Sequence, residues 1–183
     1  MKKVIAVAVF ATMSIAANAQ NQSSSASQTV NLNLSNAIEL SFTGTGNDKG
    51  NDVNIPFNTV NDYANGVESN SQELKVRSNK DFSVTVKTNA SDFSYKGTTT
   101  PAPKMPVQDV LGIMVSDNNT GGAIVAPFSE KGYASLSGKE QELIEKANRG
   151  GNQTFAVKYK ATPGFEYPAG TYSVDVVYTA TQM

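Results

Sequence analysis

Residues 171–178 read Thr-Tyr-Ser-Val-Asp-Val-Val-Tyr, with Tyr172, Val174, Val176 and Tyr178 on one parity and Thr171, Ser173 and Asp175 on the other. An apolar residue at every second position turns one side of an extended chain toward a core and the other toward water. That is the pattern of a half-buried β-strand. Residues 155–160 repeat it, with Phe155, Val157 and Tyr159 alternating with Ala156, Lys158 and Lys160. Further back, Leu74 and Val76 alternate with Lys75 and Arg77, and Phe82, Val84 and Val86 alternate with Ser83, Thr85 and Lys87. Asn79-Lys80 joins these two runs, which form either a hairpin or successive strands around a corner.

The remaining segments fit between these strands. Residues 110–115 are apolar enough for a buried strand. Residues 116–122, SDNNTGG, predict a hairpin turn, with 123–125 as its return. A short extended piece surrounds Val53, Ile55 and Phe57, Asn65-Gly66 marks a turn, and the Pro-rich residues 97–106 predict a crossing loop. Residues 139–148 read as a helix. Ser137 and Glu140 have capping-box spacing, Leu143, Ile144 and Ala147 share a face, and Glu142 with Lys146 is an i,i+4 pair. About nine or ten short strands and one short helix predict an all-β fold, an immunoglobulin-like β-sandwich with the helix over an open end.

Composition limits the chemistry. The 183 residues include no Cys, His or Trp, with 15 Lys+Arg against 16 Asp+Glu. A disulfide framework, a thiolate metal site, an imidazole base and a Ser-His-Asp triad are all excluded. No Ser-x-x-Lys dyad, Gly-x-Ser-x-Gly elbow or phosphate loop is present, and the carboxylates are scattered through loops and outward strand positions. The sequence therefore predicts no enzyme and no cofactor. Residues 46–52, GNDKGND, carry calcium-type oxygen ligands, but Lys49 sits in their midst and a plain turn is the expectation. Tyr159, Tyr172 and Tyr178 could form a sugar platform, yet all three lie on the apolar parity, which predicts core packing. Tyr172 is also placed to tie a corner through its hydroxyl.

The first 19 residues predict a secretory signal peptide. Lys2 and Lys3 precede an apolar run that ends at Ala17-Asn18-Ala19, and the run is shorter than the roughly 20 residues of a membrane span. Removing it takes two lysines and moves the formal charge from −1 to −3. With no basic cluster, nucleic-acid binding is not expected. The mature chain is then expected to consist of a polar N-terminal extension, residues 20–35, and one β-sandwich domain, residues 36–183.

That extension contains Val30, Leu32 and Leu34 alternating with Asn31, Asn33 and Ser35, followed by Ile38, Leu40 and Phe42 on the same parity. No further strand follows residues 171–178, so the sandwich can be read as incomplete. Two arrangements fit equally. Residues 29–35 could pair inside their own domain as a first strand. Alternatively, one copy's Val30, Leu32 and Leu34 could plug a groove of the next copy lined by Ile38, Leu40, Val174, Val176 and Tyr178, and such a contact propagates head to tail.

The order of segments resembles the major subunits of alpha-class chaperone–usher fimbriae, the colonisation-factor pili of enteric bacteria. Those chains also lack cysteine. Their opening strand and Pro-Val-Ile-Asp-Leu-like stretch are similar to residues 30–34 followed by Ala37-Ile38-Glu39-Leu40, and their closing Gly-x-Tyr-Ser run is similar to Gly170-Thr171-Tyr172-Ser173. Ser71-Gln72-Glu73-Leu74 and Lys104-Met105-Pro106-Val107 fall in similar order. The resemblance implies a fimbrial (pilus) subunit exported through the periplasm to a cell-surface fibre. It also implies a periplasmic chaperone, an outer-membrane usher and donor-strand polymerisation, serving adhesion or biofilm. The alternative expectation is a self-contained secreted β-sandwich module that binds glycan or extracellular matrix.

Overall fold

The computed structural model describes residues 23–43 and 52–183. The predicted signal peptide and most of the loop weighed for calcium lie outside the described residues. The chain divides between Leu34 and Ser35 into two units. In the first, residues 23–34 belong to no helix or strand.

The second unit is an all-β sandwich, as the alternation predicts. In chain order it contains β1 (Ile38–Phe42), α1 (Val60–Asn65), β2 (Val67–Glu68), β3 (Gln72–Ser78), β4 (Phe82–Thr88), β5 (Ser94–Lys96) and α2 (Val107–Val110). These are followed by β6 (Leu111–Asn118), β7 (Ala123–Ile124), β8 (Ala134–Ser135), β9 (Gln141–Ala147), β10 (Gly150–Ala161), β11 (Thr171–Ser173) and β12 (Val176–Gln182). One sheet has the order β1-β3-β10-β6-β8, with β2 also on β10. The facing sheet runs β12-β4-β9-β7, and β11 and β5 form a small separate pair. Every pairing between these strands is antiparallel. Between the two main sheets lies a core of aliphatic and aromatic side chains, including Leu74, Val76, Phe82, Val84, Val86, Ile113, Val115, Leu143, Ile144 and Phe155.

β3 and β4 show the sequence logic at its plainest. Both bury every second residue, and they belong to different sheets. Asn79-Lys80 is therefore a corner rather than a hairpin turn. Ser78 Oγ stabilises it by donating to the Lys80 carbonyl at 2.6 Å.

Three local expectations are corrected. Residues 139–148 are not a helix: they contain β9. Its pairing with β4 slips twice, between Glu142 and Ile144 and again between Ile144 and Ala147. Each slip is a bulge that inserts one extra residue and resets the parity. Leu143, Ile144 and Ala147 consequently all point inward, which imitates helical spacing. Lys146 adopts φ 51° at the second bulge.

The return over 123–125 does not close a hairpin with β6. Thr120 is fully buried, its hydroxyl donates to Asn118 Oδ1 at 2.7 Å, and Asn148 N–H donates to the Thr120 carbonyl at 2.9 Å. The chain thereby crosses to the other sheet, where β7 pairs with β9.

Residues 171–178 are also interrupted. β11 pairs with β5, and β12 begins only at Val176. Between them Asp175 trades backbone and side-chain hydrogen bonds with Asn89.

The helices lie elsewhere and are short. Thr59 caps α1 in a reciprocal box with Asp62. The backbone N–H groups of Thr59 and Asn58 hold the Asp62 carboxyl below its ordinary pKa.

Candidate functional site

β1 and β12 are the outermost strands of their sheets, and they lie on the same flank of the sandwich because their inner neighbours, β3 and β4, are consecutive in the chain. β1 bonds to β3 in the register Ile38↔Ser78 to Phe42↔Leu74. β12 bonds to β4 from Val176↔Thr88 to Gln182↔Phe82. Among the described residues no strand pairs with the outer edge of either. Each edge therefore presents a row of backbone N–H and C=O groups without a ladder partner.

The side chains between these edges are apolar and incompletely covered. Ile38 and Phe42 are 39% and 37% exposed. Leu40, Val174, Val176, Tyr178 and Ala180 are partly buried and pack against the core from outside. Some Cα atoms of β1 and β12 approach within 8 Å, closer than the roughly 10 Å usual between packed sheets. The flank is thus a shallow apolar cleft whose walls already touch, with the two unpaired edges facing outward on either side of it. Phe42 meets Tyr178 edge to face at 6.1 Å, and Tyr178 in turn packs on Phe155 at 6.2 Å.

Two features give the cleft its polarity. In its floor the Tyr178 and Tyr159 hydroxyls are 2.6 Å apart. Burial pushes the Tyr159 phenol up to about 12 and raises that of Tyr178 well above its ordinary value. Toward the start of β1, Gln182 Nε2 donates to the Ala37 carbonyl at 2.9 Å, and to Ser78 Oγ and Asn79 Oδ1 at 3.0 Å each. Because Gln182 lies beside Ala37 while Tyr178 lies beside Phe42, β1 and β12 run antiparallel across the cleft.

Of the residues expected to line a groove, Ile38 and Leu40 fall on one edge and Val176 and Tyr178 on the other. Val174 comes just before β12. The expected groove lining left out Phe42, although it shares the parity of Ile38 and Leu40, and Ala180, which shares that of Val176 and Tyr178. It also left out Asn79 and Gln182, whose roles depend on tertiary neighbours. Val30, Leu32 and Leu34 are 76%, 81% and 88% exposed and belong to no strand.

The three tyrosines weighed as a sugar platform do not share a surface. Tyr159 and Tyr178 are joined in the sandwich as described. Tyr172, contrary to its expected core position, joins a partly exposed array beside β5, packing on Tyr95 at 5.0 Å and Tyr167 at 6.3 Å. Its hydroxyl donates to the Pro168 carbonyl at 2.8 Å, the corner tie its position predicts. Tyr63 stacks on Phe165, which is 65% exposed, at 5.6 Å.

Among the described residues no group of three acidic, His or Cys side chains could hold a metal ion, and no helix is long and apolar enough to cross a membrane. No protein-family model matches the chain, and no curated protein matches it.

Proposed function

We propose that this chain is a secreted structural subunit of a bacterial surface fibre. In this reading residues 29–35 of one copy lie in the β1/β12 cleft of the next, and the role is adhesive or architectural rather than catalytic. One observation carries it: among the described residues, the same chain has an exposed alternating segment without strand partners and two strand edges without a filling strand. Backbone pairing along the edges supplies affinity, and side chains entering the cleft set the register. Each of Val30, Leu32 and Leu34 contributes roughly 1.5–3 kcal/mol if fully buried. The contact joins two different surfaces, so it extends into a filament instead of closing a dimer. The resemblance to chaperone–usher subunits adds a periplasmic chaperone to cover the cleft before assembly and an usher to deliver the subunit.

Deleting residues 20–35 of the mature chain tests this. Negative-stain microscopy of the producing cells should show no fibres. Normal fibres from the deletion overturn the reading.

The exposed Tyr63–Phe165 stack and the Tyr95–Tyr172–Tyr167 array favour a second reading, a secreted glycan-binding module, since aromatic faces suit sugar rings. It predicts that the refolded mature chain remains a monomer at every concentration in size-exclusion chromatography. Detergent-resistant ladders would count against it.

A further inference from the structure

The root of the N-terminal segment is held by side chains. Asn79 Nδ2 donates to the Ser35 carbonyl at 2.8 Å, and Asn79 Oδ1 accepts from Ala37 N–H at 2.9 Å. Asn79 N–H donates to the Ala37 carbonyl at 3.2 Å. The Asn79 amide thus continues the edge pairing of β1 beyond the point where β3 has turned its corner. Gln182, on the opposite sheet, adds its bonds to the Ala37 carbonyl and to Asn79 Oδ1. Residues 35–37 make no turn or bend.

Strand donation between copies has a competitor in the same chain. A tethered segment reaches a nearby groove at an effective concentration in the millimolar range, above that of most partners in solution. To enter the cleft beside its own β1, the segment carrying Val30, Leu32 and Leu34 must reverse direction over residues 35–37. That reversal requires a tight hairpin turn, and Asn79 holds the Ser35 carbonyl and Ala37 N–H in an extended run instead.

We propose that Asn79 and Gln182 form a latch that keeps residues 35–37 extended, so that the segment cannot double back and the cleft stays open to a second copy of the chain. This rests on the strand-donation reading above. Both are positioning residues: they fix the root of the segment and leave the apolar contacts to others.

The test uses the mature chain, dilute enough to remain monomeric, as wild type, as Asn79→Asp, and as Asn79→Ala combined with Gln182→Ala. Two quantities are measured: hydrogen exchange of the amides of residues 29–34, and uptake of a fluorescent synthetic peptide of residues 28–36 by anisotropy. In the wild type those amides should exchange freely and the peptide should bind. In the double variant they should become protected. Peptide uptake should weaken about tenfold if the closed form reaches nine-tenths of the population. Asn79→Asp removes only the bond to the Ser35 carbonyl and should fall between, which keeps the test decisive if the double variant does not fold. Folded variants with unprotected 29–34 amides and unchanged or stronger uptake overturn the latch while leaving strand donation intact. A wild type that takes up no peptide overturns both.

Discussion

The two flanks of the sandwich are finished differently. On the β7/β8 side the chain itself crosses between the sheets. Val125 N–H donates to the Leu143 carbonyl in one sheet, and Val115 N–H donates to the Ser129 carbonyl from the other. Phe128 and Leu136, at 4% and 0% exposure, fill the space beneath. On the β1/β12 side the edges are joined by one ring contact and the hydrogen bonds of Gln182. The apolar side chains there stay partly exposed. Short strands and a covering segment are the usual protection of a sheet edge, and only one flank has both. The difference separates residues that stabilise the monomer from residues left to stabilise the proposed assembly.

The largest expected effect breaks the sealed flank. Phe128→Ala should cost about 3–5 kcal/mol of monomer stability, whereas Leu40→Ala on the open flank should cost less, roughly 1–2.5 kcal/mol, because Leu40 is only partly buried in the monomer. Denaturant unfolding of both variants checks this. Equal losses would mean the flanks are finished alike.

Alkaline titration gives a smaller effect. The Tyr159 phenol is held up to about 12 by burial, while in the unfolded chain it ionises near 10. Between those values the unfolded state binds fewer protons, so stability falls as pH rises, by at most about 1.4 kcal/mol per pH unit. Tyr133, which precedes β8, is also pushed up to about 12, by burial and then by Glu68. Thermal melts from pH 9 to 12 should show that Tyr178→Phe changes the alkaline slope more than Tyr133→Phe. The reverse ranking would move the sensitive site to the sealed flank.

The smallest effect on the monomer comes from the segment itself. Leu32→Asn should leave unfolding within about 0.5 kcal/mol of wild type, since the side chain is exposed. The same change should sharply reduce fibre length by microscopy. Unaltered fibres would show that the open flank is filled by something else.

Much of this fold was legible from parity alone, because β3, β4 and β6 bury one face along most of their length and a buried face writes a period of two into the sequence. The misreadings share a physical origin. The bulges of β9 broke the period, so Leu143, Ile144 and Ala147 imitated a helix. Asn118 to Gly122 had the composition of a turn, but composition does not say which sheet the chain enters next. α1 was missed although Thr59 and Asp62 have cap spacing; Asp in place of Glu or Gln weakened that signal. In the candidate site, Ile38, Leu40, Val176 and Tyr178 were readable as inward positions. Asn79 and Gln182 were not, since an amide that stands in for a backbone strand is defined only by neighbours distant in sequence.

The Tyr159–Tyr178 hydroxyl pair has a practical consequence for observing the molecule. The chain contains no Trp, so its ultraviolet emission comes from tyrosine. One of the two hydroxyl-paired rings, Tyr178, also touches Phe42 at the rim of the cleft. If a strand enters there as proposed, the polarity around that ring changes, and tyrosine emission then serves as a label-free gauge of whether the flank is occupied.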